Sequence, residues 1–159
     1  MGGMMMSVPK VGQPAPDFEV LSDSGDTVHL SDYRGQRVVL YFYPKADTPG
    51  CTTQSCAYRD SYSLFATKNA VILGVSADTV EEQAAFKTKY NLPFTLLADT
   101  DKFIINAYGI WQTYTNAQGD ERTGIRRSSF IIDENGVISG VFIGVDPANN
   151  SQEMLANLS

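Results

Sequence analysis

The chain has 159 residues, of which 43% are hydrophobic and 19% are charged, and it carries a formal net charge of −6. This length fits one domain with its own core, because a chain of this size buries about 68–70% of its unfolded surface. The composition excludes collagen-like, coiled-coil and disordered chains. The acidic balance argues against a nucleic-acid-binding protein, which needs positive charge to release phosphate counterions.

The apolar stretches of the sequence are too short to cross a membrane. The longest, VVLYFY at 38–43, falls far short of the roughly 20 residues required. Residues 1–10 lack the basic region and apolar core of a signal peptide, so we expect a loose segment there and a single domain over 11–159. Two cysteines are too few for a disulfide-stapled secreted scaffold, which predicts a cytoplasmic protein.

Strands and helices alternate in the first half of the predicted domain. Residues 17–30 predict a small hairpin that turns through Gly25. Residues 37–43 are apolar and rich in β-branched and aromatic side chains, which is typical of a central strand covered on both faces. An amphipathic helix is predicted from Cys51 to about Lys68, and residues 70–77 predict a second strand.

The second half of the sequence continues this alternation and ends in another hairpin. Thr79 and Glu82 have the spacing of a capping box ahead of a helix that ends at Tyr90. Asn135 and Gly136 favour a tight turn between two strands. We further expect a strand at 94–98 and a short helix at 102–108. The two hairpin strands are expected at 126–132 and 137–143, and a closing helix at 150–158.

This order of elements predicts an α/β fold with a mixed central sheet, parallel in its first part and flanked by helices. In such sheets, functional sites lie at the carboxyl ends of the strands. The segment that follows the central strand, PKADTPGCTTQSC at 44–56, is therefore where chemistry is expected.

Cys51 is predicted to lie in the first turn of the helix that follows this segment, with Thr48 as its N-cap. Free backbone N–H groups and the helix dipole both favour thiolate over thiol there. The dipole contributes about 0.3–1 kcal/mol and at most about 2, which is too little alone, so a cation must assist it. Lys45, Arg126 and Arg127 are the candidates.

Cys56 follows five positions later on the same predicted helix. An intact helix would separate the two cysteines by about 7.5 Å along its axis and about 140° around it. A disulfide requires Cα atoms within about 6.8 Å and converging side chains. A bridge between these residues therefore needs the helix to unwind, which argues against a static structural disulfide.

Residues 41–56, YFYPKADTPGCTTQSC, resemble the active-site segment of the peroxiredoxin Q or bacterioferritin-comigratory-protein family of thiol peroxidases. Three further segments support the resemblance and extend it over nearly the whole chain: GQPAPDFEV at 12–20, DTDKFIINAYGIW at 99–111 and RRSSFIID at 126–133. The resemblance implies a thioredoxin-like fold and the two-electron reduction of a peroxide.

The resemblance also implies roles for individual residues. Cys51 matches the peroxidatic nucleophile of the family, and Cys56 matches the resolving thiol. Thr48 is expected to hydrogen-bond the thiolate or the peroxide. Arg127 is chosen over Arg126 because it begins the R-x-[ST]-F pattern of the family.

Pro44 and Tyr43 match pocket-forming positions of the family. The implied cycle converts Cys51 to a sulfenic acid, which then condenses with Cys56 to give an intramolecular disulfide. An external thiol, thioredoxin by analogy with the family, reduces this bridge. No cofactor or metal is implied, and a monomer is expected because both thiols lie in one chain.

Two other functions compete with this interpretation. A thioredoxin-like disulfide oxidoreductase normally carries C-x-x-C, whereas four residues separate Cys51 from Cys56. A metal-binding module would use His29 together with the thiols. His29 lies on an early predicted strand without a neighbouring cysteine, so we expect no metal site.

Overall fold

The fold is described from a computed structural model, which covers residues 7–116 and 118–158. In chain order the elements are β1 (Glu19–Ser22), β2 (Thr27–His29), a 3₁₀-helix (Leu30–Tyr33), β3 (Arg37–Phe42), α1 (Pro49–Asp60), α2 (Tyr62–Thr67), β4 (Ala70–Ser76), α3 (Val80–Tyr90), β5 (Thr95–Ala98), α4 (Phe103–Ala107), β6 (Trp111–Thr115), β7 (Glu121–Ile125), β8 (Ser128–Ile132), β9 (Ile138–Ile143) and α5 (Asn150–Ala156).

Seven strands form one mixed sheet in the order β2-β1-β5-β4-β3-β8-β9. Strands β3, β4 and β5 run parallel, because α1 with α2, and then α3, carry the chain back across the sheet. The pairs β1–β5, β3–β8 and β8–β9 are antiparallel. The predicted α/β fold, with a mixed sheet and a terminal hairpin, is confirmed.

The sheet has an apolar cluster on each face, and β3 contributes to both because its side chains alternate. Leu40 and Phe42 belong to the cluster covered by α4. Val39 and Tyr41 belong to the cluster covered by α1, α2, α3 and α5. Cys51 is part of this second cluster, so the predicted site lies where α1 packs on the end of the sheet.

The helix predicted over 51–68 is two helices in the structure. The chain leaves helical geometry at Ser61 (φ −103°, ψ 6°), between α1 and α2. The apolar spacing therefore does not continue across the break. Tyr58 and Phe65 are fully buried, whereas Tyr62 and Leu64 are 39% and 53% exposed.

A hairpin occupies much of the segment, 112–123, for which the sequence predicts no element. Strands β6 and β7 pair antiparallel as a separate two-stranded sheet. Near the turn, the Asn116 side chain accepts hydrogen bonds from the backbone N–H groups of Gln118 and Asp120. These hydrogen bonds stabilise the turn, and the strands on either side of it are largely exposed.

The predicted loose segment, 1–10, is only partly covered, since residues 1–6 lie outside the described residues. In the remainder, Pro9 is buried and Val8 packs against the core cluster beneath α4. Val8 and Pro9 therefore contact the domain, whereas residues 7 and 10 are exposed. Within the described parts of the chain, no helix has the length and apolarity to span a bilayer.

Candidate active site

Cys51 lies in the first turn of α1, just beyond the carboxyl end of β3. Thr48 is the N-cap in an extended conformation, and Pro49 occupies the first helical position. The first hydrogen bond of the helix runs from Thr52 N to Thr48 O at 2.8 Å. The backbone N–H groups of Gly50 and Cys51 precede it, so they are available to an anion at this helix end.

Arg127 brings a positive charge to the sulfur of Cys51. Its Nη1 lies 3.5 Å from Cys51 Sγ and 2.8 Å from Gln54 Oε1. Arg127 directly precedes β8, whose Ser128 pairs with the last residue of β3, which brings the arginine to the start of α1. A Cβ at Gly50 would lie 3.0 Å from Arg127 Nη2, so the glycine gives the guanidinium its space.

The other two cationic candidates are engaged elsewhere. Lys45 Nζ lies 3.9 Å from the buried carboxylate of Asp78. Arg126 stacks on the ring of Tyr114 at 5.1 Å, and its Nη1 lies 3.5 Å from Gln112 Oε1. Of the three cations that the sequence leaves open, Arg127 is therefore the one in contact with the sulfur.

The surroundings of the sulfur are otherwise apolar and aromatic. Cys51 is 1% exposed and belongs to the same cluster as Tyr41, Tyr43 and Tyr58. Burial raises the pKa of Tyr41 and Tyr58 well above the usual range, so these rings stay neutral. Burial disfavours a charged sulfur, but the same low dielectric strengthens its attraction to the guanidinium.

The hydroxyl of Thr48 donates to the backbone carbonyl of Lys45 at 2.7 Å. A hydroxyl has a single proton to donate and two lone pairs that accept. Because this proton is already used, Thr48 Oγ1 is left as an acceptor at the start of α1. Its predicted bond to a peroxide therefore requires a donor on the ligand.

The two predicted pocket residues differ in exposure. Pro44 is exposed, whereas Tyr43 is fully buried and its hydroxyl donates to Gln83 Oε1. In this state Tyr43 offers no surface to a ligand, contrary to the expectation that it lines a pocket. Its ring instead belongs to the aromatic cluster that supports Cys51.

Two carboxylates hold the loop that precedes α1. Asp78 accepts a hydrogen bond from Ala46 N at 2.7 Å. Asp47 has a left-handed backbone (φ 62°), and its side chain accepts from Lys89 Nζ at 2.9 Å and from Tyr90 at 2.8 Å. The hydrogen bond from Lys89 lowers the pKa of Asp47. These contacts tie the loop to α3 and set where α1 begins.

Cys56 is half-buried and lies on the same continuous helix, α1. Both cysteines are free thiols. The helical separation expected from the sequence is therefore present, and an encounter of the two sulfurs requires α1 to open.

A buried polar cluster behind Arg127 was not found by the sequence analysis. The side-chain oxygen of Asn150 accepts hydrogen bonds from Gln54 at 3.0 Å, Tyr58 at 2.6 Å and Ser129 at 2.8 Å. Gln54 and Asn150 are 96 positions apart, so no local spacing connects them.

The described residues contain no group of three or more His, Cys, Asp and Glu side chains that could hold a metal ion. His29 instead lies 3.1 Å from Glu19 Oε1 across the β1–β2 hairpin. Among the described residues, therefore, no set of side chains converges to support the competing metal-binding interpretation.

Comparison with known proteins identifies the family. A sequence model of the AhpC/TSA family matches residues 11–141. The chain belongs to this family. Peroxiredoxin Bcp of Bacillus subtilis is 51% identical over 127 residues, which is 80% of each chain. The putative peroxiredoxin bcp of Coxiella burnetii is 44% identical over 149 residues, covering 94% of this chain and 98% of that protein.

The fold is shared with solved structures of the same group. The bacterioferritin comigratory protein of Xanthomonas campestris superposes with a TM-score of 0.85 and 29% identity, covering 94% of this chain and 97% of that chain. The expected thioredoxin-like peroxiredoxin fold is confirmed. The chain is a thiol peroxidase, an activity that the relatives favour over a disulfide oxidoreductase or a metal-binding module.

Proposed function

We propose that Cys51 is the peroxidatic nucleophile. The observation that carries this proposal is the contact of 3.5 Å between Arg127 Nη1 and Cys51 Sγ at the N-terminus of α1. The thiolate attacks one peroxide oxygen, so an S–O bond forms and the O–O bond breaks. The departing oxygen leaves as hydroxide or alkoxide and takes up a proton, and Cys51 becomes a sulfenic acid.

Arg127 and Thr48 act on the peroxide in this step. The guanidinium and the open N–H groups of the first turn stabilise negative charge as it moves to the departing oxygen. The hydroxyl of Thr48 already donates a hydrogen bond to the backbone carbonyl of Lys45. Its oxygen therefore accepts a hydrogen bond from the O–H of a hydroperoxide and orients it. Pro44 lies on the exposed side of this segment and borders the approach.

Cys56 is the resolving thiol. Its sulfur displaces water from the Cys51 sulfenic acid, which forms an intramolecular disulfide. The continuous helix between the two residues must unwind first, so resolution is coupled to local unfolding of α1. An external dithiol then reduces the bridge by thiol–disulfide exchange.

The substrates are hydrogen peroxide and organic hydroperoxides. The related protein from Xanthomonas campestris is described as having alkyl peroxide reduction activity. In this chain, the groove beside Arg127 has a mixed lining, in which Tyr114, Val145 and Pro147 offer an alkyl group apolar contact next to the polar Thr115, Asn116, Arg126 and Asp146. Thioredoxin or a similar thiol is the reductant.

The cycle uses neither a metal nor an organic cofactor, since sulfur carries both electrons. Both sulfurs lie on one helix of one chain, which favours a monomer. Paired thiols that must be returned to the reduced state fit a reducing compartment such as the cytoplasm. The net charge of −6 disfavours nucleic acid as a partner.

Two serine variants test these roles. Cys51→Ser should abolish peroxide consumption, and turnover in this variant would refute the nucleophile assignment. Cys56→Ser should consume one equivalent of peroxide and then stop as a sulfenic acid at Cys51, which a second equivalent oxidises to a sulfinic acid. Mass spectrometry of non-reduced peptides after one equivalent of peroxide should find the 51–56 bridge in the native chain. Normal cycling of Cys56→Ser with thioredoxin would exclude the resolving role.

A further inference from the structure

A series of buried amides connects the C-terminal helix, α5, to the active-site arginine. Gln54 accepts a hydrogen bond from Arg127 through Oε1 and donates one to Asn150 through Nε2. Tyr58 and Ser129 donate to the same oxygen of Asn150. The four residues other than Arg127 are all fully buried, so bulk water does not compete for these bonds.

A single arrangement of the two amides satisfies this cluster. Glu153 presents a carboxylate oxygen 3.4 Å from Asn150 Nδ2, and an ionised carboxylate only accepts. The oxygen of Asn150 therefore faces inward, towards Gln54. Gln54 must then present its NH₂ group to Asn150 and its oxygen to Arg127, because a reversed amide would set N–H against N–H at Arg127 and oxygen against oxygen at Asn150.

The cluster holds Arg127 without neutralising it. Gln54 and Asn150 are uncharged, and within residues 7–116 and 118–158 no carboxylate lies within 4.0 Å of the Arg127 guanidinium. No described carboxylate at that distance therefore competes with Cys51 for its charge. Because the attraction between two charges falls with their distance, the hydrogen bond to Gln54 strengthens the effect of Arg127 by keeping its long side chain near the sulfur.

We propose that Asn150 is a positioning residue for peroxide reduction: through Gln54, it holds the Arg127 guanidinium against Cys51. The inference rests on the proposed roles of Cys51 and Arg127. Asn150 lies beyond residues 11–141, the part of the chain that the family pattern matches. It belongs to α5, whose Met154 and Leu155 pack into the apolar cluster around Cys51.

A double-mutant cycle separates positioning from simple stabilisation. Asn150→Ala is made in the native chain and in the Arg127→Ala chain, and the second-order rate constant for hydrogen peroxide is measured with each reduced protein. We expect a loss of about tenfold or more in the native background, as for other misplaced catalytic groups. In the Arg127→Ala background the loss should be less than about twofold, because the arginine that Asn150 positions is absent.

The pH dependence of Cys51 alkylation provides a second readout. Asn150→Ala should move the alkylation profile to more alkaline pH in the native chain and leave it unchanged in the Arg127→Ala chain. Tyr108→Phe is the control for lost stability, since it removes a buried hydroxyl that donates to Pro16 O at 2.8 Å. It lies in the cluster on the opposite face of the sheet, so its rate constant and profile should match the native chain.

Asn150→Ser is a second variant in case Asn150→Ala fails to fold. Its hydroxyl keeps a neutral oxygen that can accept from Gln54 and places no carboxylate beside Glu153, so its loss of rate should be smaller than that of Asn150→Ala. Equal losses in the native and Arg127→Ala backgrounds, from either variant, would overturn the positioning role. Absence of any peroxide reaction at Cys51 in the native chain would instead refute the proposed function itself.

Discussion

Position, and not charge, distinguishes Arg127 from the arginine beside it. Arg127 contacts the sulfur of Cys51, while Arg126 stacks on Tyr114. Arg127→Ala should slow the reaction with hydrogen peroxide by about 100-fold or more, the usual loss when one donor to a developing anion is removed. The same variant should shift Cys51 alkylation to more alkaline pH. Competition kinetics and iodoacetamide titration measure the two effects.

Arg126→Ala is the matched control for this prediction. It removes the same charge from the neighbouring position, so its rate constant for hydrogen peroxide should stay within about twofold of the native value. Equal losses in the two variants would mean that long-range charge, rather than contact at the sulfur, supports the reaction. Arg127 would then lose its assigned role.

Single residues were predictable where a short pattern carries the chemistry. Cys51, its place in the first helical turn and the need for a cation follow from residues 44–56 and from the small size of the helix dipole effect. The choice among Lys45, Arg126 and Arg127 depended on a family resemblance, because sequence spacing does not determine which side chain reaches the sulfur. Gln54 and Asn150 were not predicted, because amide side chains form no distinctive sequence pattern and these two residues are 96 positions apart.

The helix α1 must serve two incompatible states of the cycle. Intact, it places Cys51 at a helix N-terminus, and unwound, it lets Cys56 reach the sulfenic acid. Thr53 lies between the two cysteines, is exposed, and donates its hydroxyl proton to Pro49 O at 3.0 Å. Substitutions at Thr53 can therefore change helix stability without disturbing the buried side of α1.

Thr53→Ala and Thr53→Gly form a matched pair, because both lack the hydroxyl. Glycine is about 1 kcal/mol less favourable than alanine inside a helix, so we expect the disulfide to form about fivefold faster in Thr53→Gly than in Thr53→Ala. The first reaction with peroxide should be the same in both. Rapid alkylation and mass spectrometry would follow the sulfenic acid and the disulfide with time.

The control for this pair is Ala85→Gly, an exposed substitution inside α3. It costs similar helix stability but lies outside the segment that must unwind, so resolution should keep its native rate. Identical resolution rates in the two Thr53 variants would show that opening of α1 does not limit disulfide formation.

Elements were predictable where burial imposes a clear period. β3, β4 and the capped helix α3 agree with the sequence expectations, because their apolar runs and capping box are determined locally. The break at Ser61 has no Gly or Pro to announce it. The β6–β7 hairpin was missed because its strands are mostly exposed, so the contrast between apolar and polar positions that marks a half-buried strand is weak.

At the scale of the whole molecule, two apolar clusters back a single sheet, and tyrosines lie within both. Tyr41, Tyr43 and Tyr58 are buried in the cluster covered by α1, α2, α3 and α5, and Tyr108 is buried on the opposite face. Their hydroxyls donate hydrogen bonds to other protein groups or share hydrogen bonds with them. Folding thus requires all four phenols to remain protonated, a condition that residue counts and periodicity do not reveal.

This requirement predicts that the protein loses stability steeply in alkali. Burial raises the pKa of each of these four tyrosines above the ordinary value of 10.0. Above pH 10 the unfolded chain releases these protons while the folded chain retains them, so stability falls as pH rises. Between pH 10 and pH 11 each tyrosine removes about 1 kcal/mol, and the four together remove about 4 kcal/mol.

Urea unfolding of the reduced protein at pH 8, 10 and 11 measures this loss, and Tyr108→Phe assigns a share of it. Because Tyr108 lies away from the thiols, its replacement should reduce the loss between pH 10 and pH 11 by about 1 kcal/mol, one proton's share. The variant is less stable at pH 8, since its hydrogen bond to Pro16 is gone. An unchanged pH dependence in Tyr108→Phe would mean that this phenol ionises equally readily in the folded and unfolded chains.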